Sequence, residues 1–259
     1  MPTDRVAPLP GRAPAPPLDQ QRGGYRLRFA RHAADLEAVQ RLRYQVFNLE
    51  MGEGLAASDA DGRDRDRFDA QCQHLMIEHP ASGQVVGTYR LQLAAEAAGG
   101  EGLYSATEFD LAPLPAGFLA EAVEIGRACV ARAHRDTRVL GLLWSGLAHF
   151  MLHHGKRHLF GCNSLTSREP AEGVRLWQQL QEGGHVHPAL RVEPLPGGAC
   201  EGPPSAERVP LPKLFAIYLR YGSKVLGPPA IDREFGTIDF LTTLDLAALD
   251  PRVVADFAR

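Results

Sequence analysis

The segment Glu121–Val130, EAVEIGRACV, combines the apolar pattern of a buried strand with two opposite charges. Val123 and Ile125 are β-branched and favour a strand, whereas Glu124 and Arg127 are costly to bury unless each is paired or hydrogen-bonded. A strand of this composition either contains a structural ion pair or lines a functional site. We therefore predict that Glu121–Val130 is the central strand of the fold and contributes to an active site.

The composition is that of a globular protein without a membrane-spanning segment. The chain has 259 residues, 44% of them hydrophobic, and a net charge of −3, which is enough apolar material for one large core or two modest ones. The charge balance lacks the basic excess typical of nucleic-acid-binding proteins. No run approaches the roughly 20 apolar residues of a membrane span. Because the N-terminus has no apolar stretch of the secretory type, we expect a cytoplasmic protein.

The cysteine and histidine patterns indicate neither a disulfide framework nor a metal site. Cys129 and Cys162 fall in predicted buried strands, and the four cysteines form no CxxC pair, so we expect reduced and unreactive thiols. His149 and His153 have the i, i+4 spacing of a zinc-binding helix, but HFMLH lacks the glutamate of the HExxH motif. We expect packed or solvated histidines and no metal.

The order of predicted elements favours an α/β fold. Residues 1–24 are rich in Pro, Gly and Arg and are predicted to be a disordered leader, followed by one domain over residues 25–259 with a C-terminal extension from about residue 194. Hydrophobic periodicity predicts helices over residues 35–47, 137–154 and 170–181, and strands or extended segments over residues 25–29, 74–79, 84–93, 104–111, 121–130, 158–165, 214–221 and 235–244. This order predicts a mixed, largely antiparallel sheet flanked by helices, with extra C-terminal strands.

Charged residues in four parts of the chain form a pattern. These are Arg43-x-x-x-Phe47, Asp66-x-x-Asp69, Arg90 in GTYRL and Glu124-x-x-Arg127. Their order and spacing resemble the acyl-homoserine-lactone synthases, a branch of the GNAT acyltransferase superfamily. The segments RYQVFNLEMG, DRFDAQCQHLMI, VVGTYRL, EIGRACV and LPKLFAIYLRYGSKVLGPPAIDREFGTIDF are similar to the bacterial L-ornithine Nα-acyltransferases of ornithine-lipid synthesis, also described as hemolysin-like. The similarity runs from about Tyr25 to Leu244.

This resemblance implies a GNAT-like fold and an N-acyltransferase activity. The donor would be the phosphopantetheine thioester of acyl carrier protein, the acceptor the α-amine of L-ornithine, and the product a lyso-ornithine lipid made from a 3-hydroxyacyl chain. No other cofactor is expected, and an amphiphilic product suggests peripheral contact with the inner membrane. Two alternatives remain open. The same fold could acylate another amino acid or make an acyl-homoserine lactone, or the chain could be a non-catalytic module that binds acyl carrier protein or lipid.

The resemblance also suggests roles for the matched residues. Acyl transfer to an amine requires a base, a polarised carbonyl and an exit for the thiol. We expect Glu124 to take the amine proton, and we group Asp69 and Arg127 with it as catalytic. The predicted substrate-binding residues, with aspartate for the cationic amine and arginine for the carboxylate, are Arg43, Phe47, Asp66 and Arg90. The alternative is a charged network that only braces a loop.

The segment after the central strand suggests which donor is used. In GNAT enzymes that use coenzyme A, a Gln/Arg-x-x-Gly-x-Gly/Ala loop and the next helix N-terminus hold the pyrophosphate. Here residues 132–137 read RAHRDT, without glycine, which favours acyl carrier protein as the donor. A positive patch for its acidic surface would comprise Arg132, Arg135, Arg138, Lys156 and Arg157. Ordinary solvated charges are the alternative for each of them.

Overall fold

The computed structural model of the protein describes residues 15–203, 207–250 and 252. They fall into two compact units. The first contains residues 15–92 and 126–155, and the second contains residues 93–125 and 156–250 as far as they are described. The predicted central strand begins in the second unit and ends in the first. The expectation of a single domain from residue 25 onward stays a prediction.

The predicted helices and most of the predicted strands are present. The strands are Asp19–Arg22 (β1), Tyr25–Phe29 (β2), Gln73–His79 (β3), Gln84–Leu93 (β4), Phe109–Asp110 (β5), Ala122–Val130 (β6), His158–Leu165 (β7), Glu193–Pro194 (β8), Lys224–Val225 (β9), Ala230–Asp232 (β10) and Thr237–Asp245 (β11). The helices are Ala33–Tyr44 (α1), Ala116–Ala120 (α2), Thr137–His153 (α3), Pro170–Glu182 (α4) and Lys213–Arg220 (α5). Within the described part of the chain, no helix is long and apolar enough to cross a membrane.

The first unit has an antiparallel sheet with helices packed on it. Strands β1 to β4 are neighbours in chain order and antiparallel, and β6 follows β4. Alternate residues of β2 are fully buried, as the alternation of apolar and charged residues in YRLRF requires. Helix α3 packs against β2 and β3. It does so closely at Gly146, where a Cβ atom would clash with the side chain of Leu75.

The second unit contains the parallel strand pair and the C-terminal strands. The start of β6 pairs in parallel with β7 at Ala122–His158, Val123–Leu159 and Glu124–Phe160. Strand β7 then pairs antiparallel with β11 along its whole length, and β9 and β10 both pair with β11. The predicted mixed α/β fold, with a largely antiparallel sheet, flanking helices and extra C-terminal strands, is therefore confirmed.

Part of the predicted leader is an ordered hairpin, so that part of the prediction is wrong. Residues 1–14 lie outside the described residues. Asp19–Arg22 pairs with β2, and the Asp19 carboxylate accepts two hydrogen bonds from Arg26, at 2.8 and 2.6 Å. The turn consists of Gly23 and Gly24, both with positive φ, which is what a two-residue hairpin turn needs. The Gly23-Gly24 pair is a sequence signal for a hairpin turn, but the Pro, Gly and Arg content of residues 1–24 favours disorder instead.

Two other segments differ from the predicted strands. Residues 214–221 were predicted as a strand, but helix α5 covers Lys213–Arg220. Its buried residues Phe215, Tyr218 and Leu219 recur at three- and four-residue spacing, so the apolar run has a helical period that a strand assignment overlooks. The predicted extended segment over residues 104–111 is a 3-10 turn, Tyr104–Thr107, followed by the short strand β5.

Candidate active site

A network of three arginines and three aspartates is buried in the first unit. Its arginines come from α1, β4 and β6, and its aspartates come from the loop between α1 and β3. The members are Arg43, Arg90, Arg127, Asp64, Asp66 and Asp69. Three positive charges meet three negative charges, so each buried group has a partner of opposite sign, as burial requires.

Arg43 lies at the inner end of this network and is fully buried. Its Nη1 and Nη2 atoms donate to the two carboxylate oxygens of Asp69 at 2.9 and 2.7 Å. Its Nε atom donates to Oδ1 of Asp64 at 2.8 Å, and Nη2 also donates to the Asp64 carbonyl. The planar guanidinium therefore forms a bidentate ion pair with Asp69, and its contacts with Asp64 hold the loop in place.

Arg90 and Arg127 lie at the other end, around Asp66. Nη1 of Arg90 lies 2.6 Å from both oxygens of Asp66 and 3.0 Å from Oδ1 of Asp69. Nη2 of Arg127 donates to Asp66 at 3.1 Å, and its Nε lies 3.4 Å from Asp64. The Asp66 side chain is 11% exposed, compared with 4% for Asp69 and none for Asp64. Asp66 thus marks the more accessible edge of the network.

Electrostatic interactions keep Asp66 and Asp69 ionised. Burial alone would raise the pKa of Asp69, but the positive charges of Arg43 and Arg90 and the nearby His74 hold it well below its usual value. Burial opposes ionisation at Asp66 as well, and Arg90 and Arg127 outweigh it, so the pKa of Asp66 is also lowered. Both carboxylates are therefore charged at neutral pH and act as acceptors of hydrogen bonds.

Three buried polar residues of this network were missed by the sequence analysis. Asp64 bridges Arg43 and Arg127, as described above. Gln40 donates to Oδ2 of Asp69 at 3.0 Å, and Nε2 of His74 lies 2.9 Å from the Asp69 carbonyl oxygen. A signal existed for Asp64, because residues 61–69 read DGRDRDRFD with four acids. Only the Asp66–Asp69 pair was selected there, since it alone matched the family pattern.

The structure thus brings five of the seven matched residues into one network. Phe47, the sixth, is buried in a π-helical segment, Gln45–Met51, that continues α1. Glu124, the seventh, belongs to the second unit, at the last residue of the β6–β7 pairing.

The Glu124 carboxylate is held by the turn Tyr104–Thr107. Its Oε2 accepts from the backbone N–H of Tyr104 at 2.9 Å, and its Oε1 accepts from the N–H and the Oγ of Ser105 at 2.8 and 2.7 Å. The residue is 7% exposed. Three donors therefore fix the orientation of this carboxylate, without a cationic side chain among those three.

A second acidic group in the same unit could in geometry hold a cation. One ligand atom from each of Glu108, Cys162 and Asp239 lies within 4.8 Å of the others. Burial and the neighbouring Asp232 raise the pKa of Asp239 to about 6, and burial raises the pKa of Cys162 well above its usual value. At neutral pH, the Cys162 thiol would therefore have to lose its proton before binding a metal ion.

Cys129 and Cys200 are also held in the protonated form. Burial raises the pKa of Cys129 to about 12 and that of Cys200 to about 11. A thiol with a raised pKa is a poor nucleophile at neutral pH. The expectation that Cys129 is an unreactive buried thiol agrees with this environment.

The predicted basic patch divides between the two units. Arg132, Arg135 and Arg138 belong to the first unit, and Lys156 and Arg157 belong to the second. In the second unit, Lys156 donates to the Ala120 carbonyl and Arg157 forms an ion pair with Asp245. In the first, Arg138 pairs with Asp136 and Arg135 pairs with Glu50, and both arginines remain more than 40% exposed.

The N-terminus of α3 is closed by a side chain. The Asp136 carboxylate accepts from the backbone N–H groups of Arg138 and Val139 at 3.0 and 3.1 Å. These are the groups that a helix N-terminus would offer to an anion. An anionic side chain already occupies them.

Comparisons with known proteins agree with this fold and sequence pattern. Residues 42–145 match the family model of the acetyltransferase (GNAT) domain. The chain is 34% identical over 244 residues to the L-ornithine N(alpha)-acyltransferase of Rhizobium meliloti, covering 87% of this chain and 81% of the relative. It is 31% identical over 245 residues to the protein of the same name from Rhodobacter capsulatus, covering 88% and 92%.

A solved structure shows the same fold. FeeM, an N-acyl amino acid synthase from uncultured soil microbes, superposes with a TM-score of 0.52 at 10% identity, over 87% of this chain and 93% of that one. At this identity the likeness concerns the fold alone. Sequence identity above 30% over most of both chains carries the assignment: the chain belongs to the L-ornithine Nα-acyltransferase family.

Proposed function

We propose that this protein transfers a 3-hydroxyacyl chain from acyl carrier protein to the α-amine of L-ornithine and releases lyso-ornithine lipid. The observation that carries the proposal is the identity of 34% to an L-ornithine N(alpha)-acyltransferase along 87% of the chain. In the reaction, the amine nitrogen attacks the thioester carbonyl and forms an amide. The C–S bond breaks, the pantetheine thiol leaves, and the amine loses one proton.

The capped helix supports acyl carrier protein as the donor. Coenzyme A carries a pyrophosphate, which free N–H groups at a helix N-terminus or in a glycine-rich loop are well suited to bind. Asp136 takes the N–H groups of Arg138 and Val139, and its charge repels a phosphate. A carrier protein presents its thioester on a phosphopantetheine arm and therefore needs no such pyrophosphate site.

The charged network supports an acceptor with both signs of charge. We propose that Asp66, whose side chain is the most exposed of the three aspartates, and its partner Arg90 contact the amine and the carboxylate of the amino acid. Both oxygens of Asp66 and both oxygens of Asp69 contact arginines, but the Asp69 side chain, which the sequence groups with the catalytic residues, is only 4% exposed, compared with 11% for Asp66. The contacts therefore support a positioning role for Arg43 and Asp69, through which they fix Asp66 and Arg90.

We propose Glu124 as the base, acting directly or through a water molecule. A free α-amine has a pKa near ~8 and a lysine-like side-chain amine near ~10.4, so the α-amine costs less to deprotonate. This difference favours acylation at Nα. The three donors from Tyr104 and Ser105 support the role because they hold the carboxylate in one orientation.

The test uses the purified protein with 3-hydroxyacyl carrier protein and an equimolar mixture of free amino acids, and measures products by mass spectrometry. We expect one new mass, that of hydroxyacyl-ornithine. A different acyl-amino acid would overturn the acceptor, and absence of any product would overturn the activity. A parallel reaction with 3-hydroxyacyl-coenzyme A tests the donor, since equal turnover would contradict a requirement for the carrier protein.

A further inference from the structure

The π-helical segment Gln45–Met51 exposes two large apolar side chains in a firmly held piece of backbone. Leu49 is 66% exposed and Met51 is 42% exposed, whereas Val46 and Phe47 on the inner side are buried. Single exposed apolar residues are common. Two of them two positions apart, on a type of helix that is frequent at functional sites, are less so.

Several contacts hold this segment in place. The Asn48 side chain donates to the Leu55 carbonyl at 3.0 Å, and the backbone N–H of Glu53 donates to the Phe47 carbonyl at 2.9 Å. Glu50 lies between the two exposed residues, and its carboxylate accepts hydrogen bonds from both terminal nitrogens of Arg135. Leu49 and Met51 are therefore presented on an ordered surface, so a partner would not have to bear the entropy cost of ordering it.

The Glu50–Arg135 pair joins this segment to the connector before α3. Nε of Arg135 donates to the Val130 carbonyl at 2.9 Å, which fixes the arginine to the end of β6. The connector also carries Arg132, which is exposed, and the first turn of α3 carries Arg138, whose side chain is 66% exposed. Apolar and basic groups thus lie side by side within the first unit.

The charge of this surface is positive but small. The three arginines of residues 132–138 and the two carboxylates of Glu50 and Asp136 together leave one net positive charge. Such a field steers an acidic partner and orients it, but contributes little to affinity after docking. The affinity then has to come mainly from buried apolar anchors, and Leu49 and Met51 are available for that purpose.

We infer that Leu49, Met51 and the arginines of residues 132–138 form the docking surface for an acidic carrier protein that delivers the acyl thioester. This inference rests on the proposed function, because the partner is the proposed acyl donor. The apolar pair anchors the partner, Arg132 and Arg138 steer it, and Glu50 limits affinity by neutralising Arg135.

The test measures binding and turnover separately. Calorimetry gives the dissociation constant for acyl carrier protein, and steady-state kinetics compare 3-hydroxyacyl carrier protein with the small thioester 3-hydroxyacyl-pantetheine. For the double variant Leu49→Ser, Met51→Ser we expect the dissociation constant and the KM for the carrier protein to rise by about tenfold or more. Turnover of the small thioester should stay at the wild-type value.

Two further variants sharpen the result. Leu152→Ser is the matched control, because Leu152 is also apolar, 58% exposed and in the first unit. It lies near the far end of α3, roughly 20 Å along the helix from Arg138 at 1.5 Å per residue, and should change neither constant. Glu50→Gln releases Arg135 and should tighten carrier-protein binding several-fold at low salt, with the gain disappearing at high salt.

The outcomes separate the surface from the function. An unchanged dissociation constant in the double variant, or an equal loss in Leu152→Ser, would overturn the docking surface while leaving the activity intact. Binding of anionic lipid vesicles that is lost in the double variant, with carrier-protein binding intact, would reassign the surface to a membrane. Carrier protein that binds as expected, without product from either donor, would overturn the proposed function and leave the surface standing.

Discussion

Nη2 of Arg127 donates to Oδ2 of Asp66 at 3.1 Å, and the backbone of Arg127 has φ = +48°. Arg127 is the only non-glycine residue with positive φ among those described. It lies inside β6, where an extended conformation is the rule, and the left-handed conformation costs an L-residue roughly 1–2 kcal/mol. The ion pairs with Asp66 and Asp64 offset this cost. They depend on the left-handed conformation, because a regular strand would direct the side chain elsewhere.

Replacement of Arg127 by glycine and by alanine separates the backbone strain from the ion pairs. Both variants lose the contacts with Asp64 and Asp66, but only alanine keeps the cost of the left-handed conformation. We expect Arg127→Gly to be more stable than Arg127→Ala by about 1 kcal/mol. This is less than the full cost of the left-handed conformation, because glycine has more entropy than alanine in the unfolded chain. Urea denaturation measures the difference. A more stable alanine variant would show that residue 127 does not keep the left-handed conformation once the ion pairs are lost.

Removal of Arg43 should be far more damaging than removal of its neighbour. Arg43→Ala leaves Asp64 and Asp69 buried without their main partner, and loss of one member of a buried pair costs roughly 3–5 kcal/mol. Arg41→Ala, on the same helix, removes an exposed i, i+4 pair with Glu37 and should change the free energy of unfolding little. Chemical denaturation of both variants tests this. Similar stabilities would mean that the network does not support the fold.

Glu124→Gln tests the proposed base. We expect turnover to fall by about 10²–10⁴-fold, the usual contribution of general base catalysis, with thermal stability changed far less. Ser105→Ala is the control, because it removes one of the donors to Glu124 but leaves the carboxylate. Its turnover should fall much less. If the glutamine variant keeps near wild-type turnover, Glu124 is not the base.

Asp239 should make the second unit less stable at high pH. Its folded-state pKa, raised to about 6 by burial and by Asp232, lies above the unfolded value, so the folded protein binds more protons between about pH 4 and pH 6. Stability attributable to this group therefore falls as the pH rises through that window and stays low above it.

The variant Asp239→Asn isolates this effect from other titrations. It keeps an oxygen that can accept from Thr237 but does not ionise. We expect its Tm to exceed that of the wild type at pH 8, and the advantage to shrink towards pH 4.5. The lowered pKa values of Asp66 and Asp69 act in the opposite direction, because their stabilisation is lost as the pH falls below about 4, in both proteins alike. An advantage independent of pH would contradict a titrating Asp239.

Local sequence patterns predict much of the fold. Examples are the β-branched run of β6, the helical period of α3 and the alternation in β2. Each depends only on which residues share one face of an element, and the local sequence determines this. The charged positions Arg43, Asp66, Asp69, Arg90 and Arg127 could be identified because their order and spacing resemble those of a known family.

Partners across the fold were decided only by tertiary structure. Asp64 joins the network because the loop after α1 returns to Arg43, and no local sequence pattern indicates that contact. Glu124 is held by Tyr104 and Ser105, twenty residues earlier, through a turn that was predicted as extended. The segment that forms helix α5 is predicted as a strand because a short apolar run can belong to either element, and the helical spacing of Phe215, Tyr218 and Leu219 is seen once their burial is known. The amino-acid sequence therefore determined the elements and the chemistry of the site, whereas long-range packing decided which charges neutralise one another and which remain accessible.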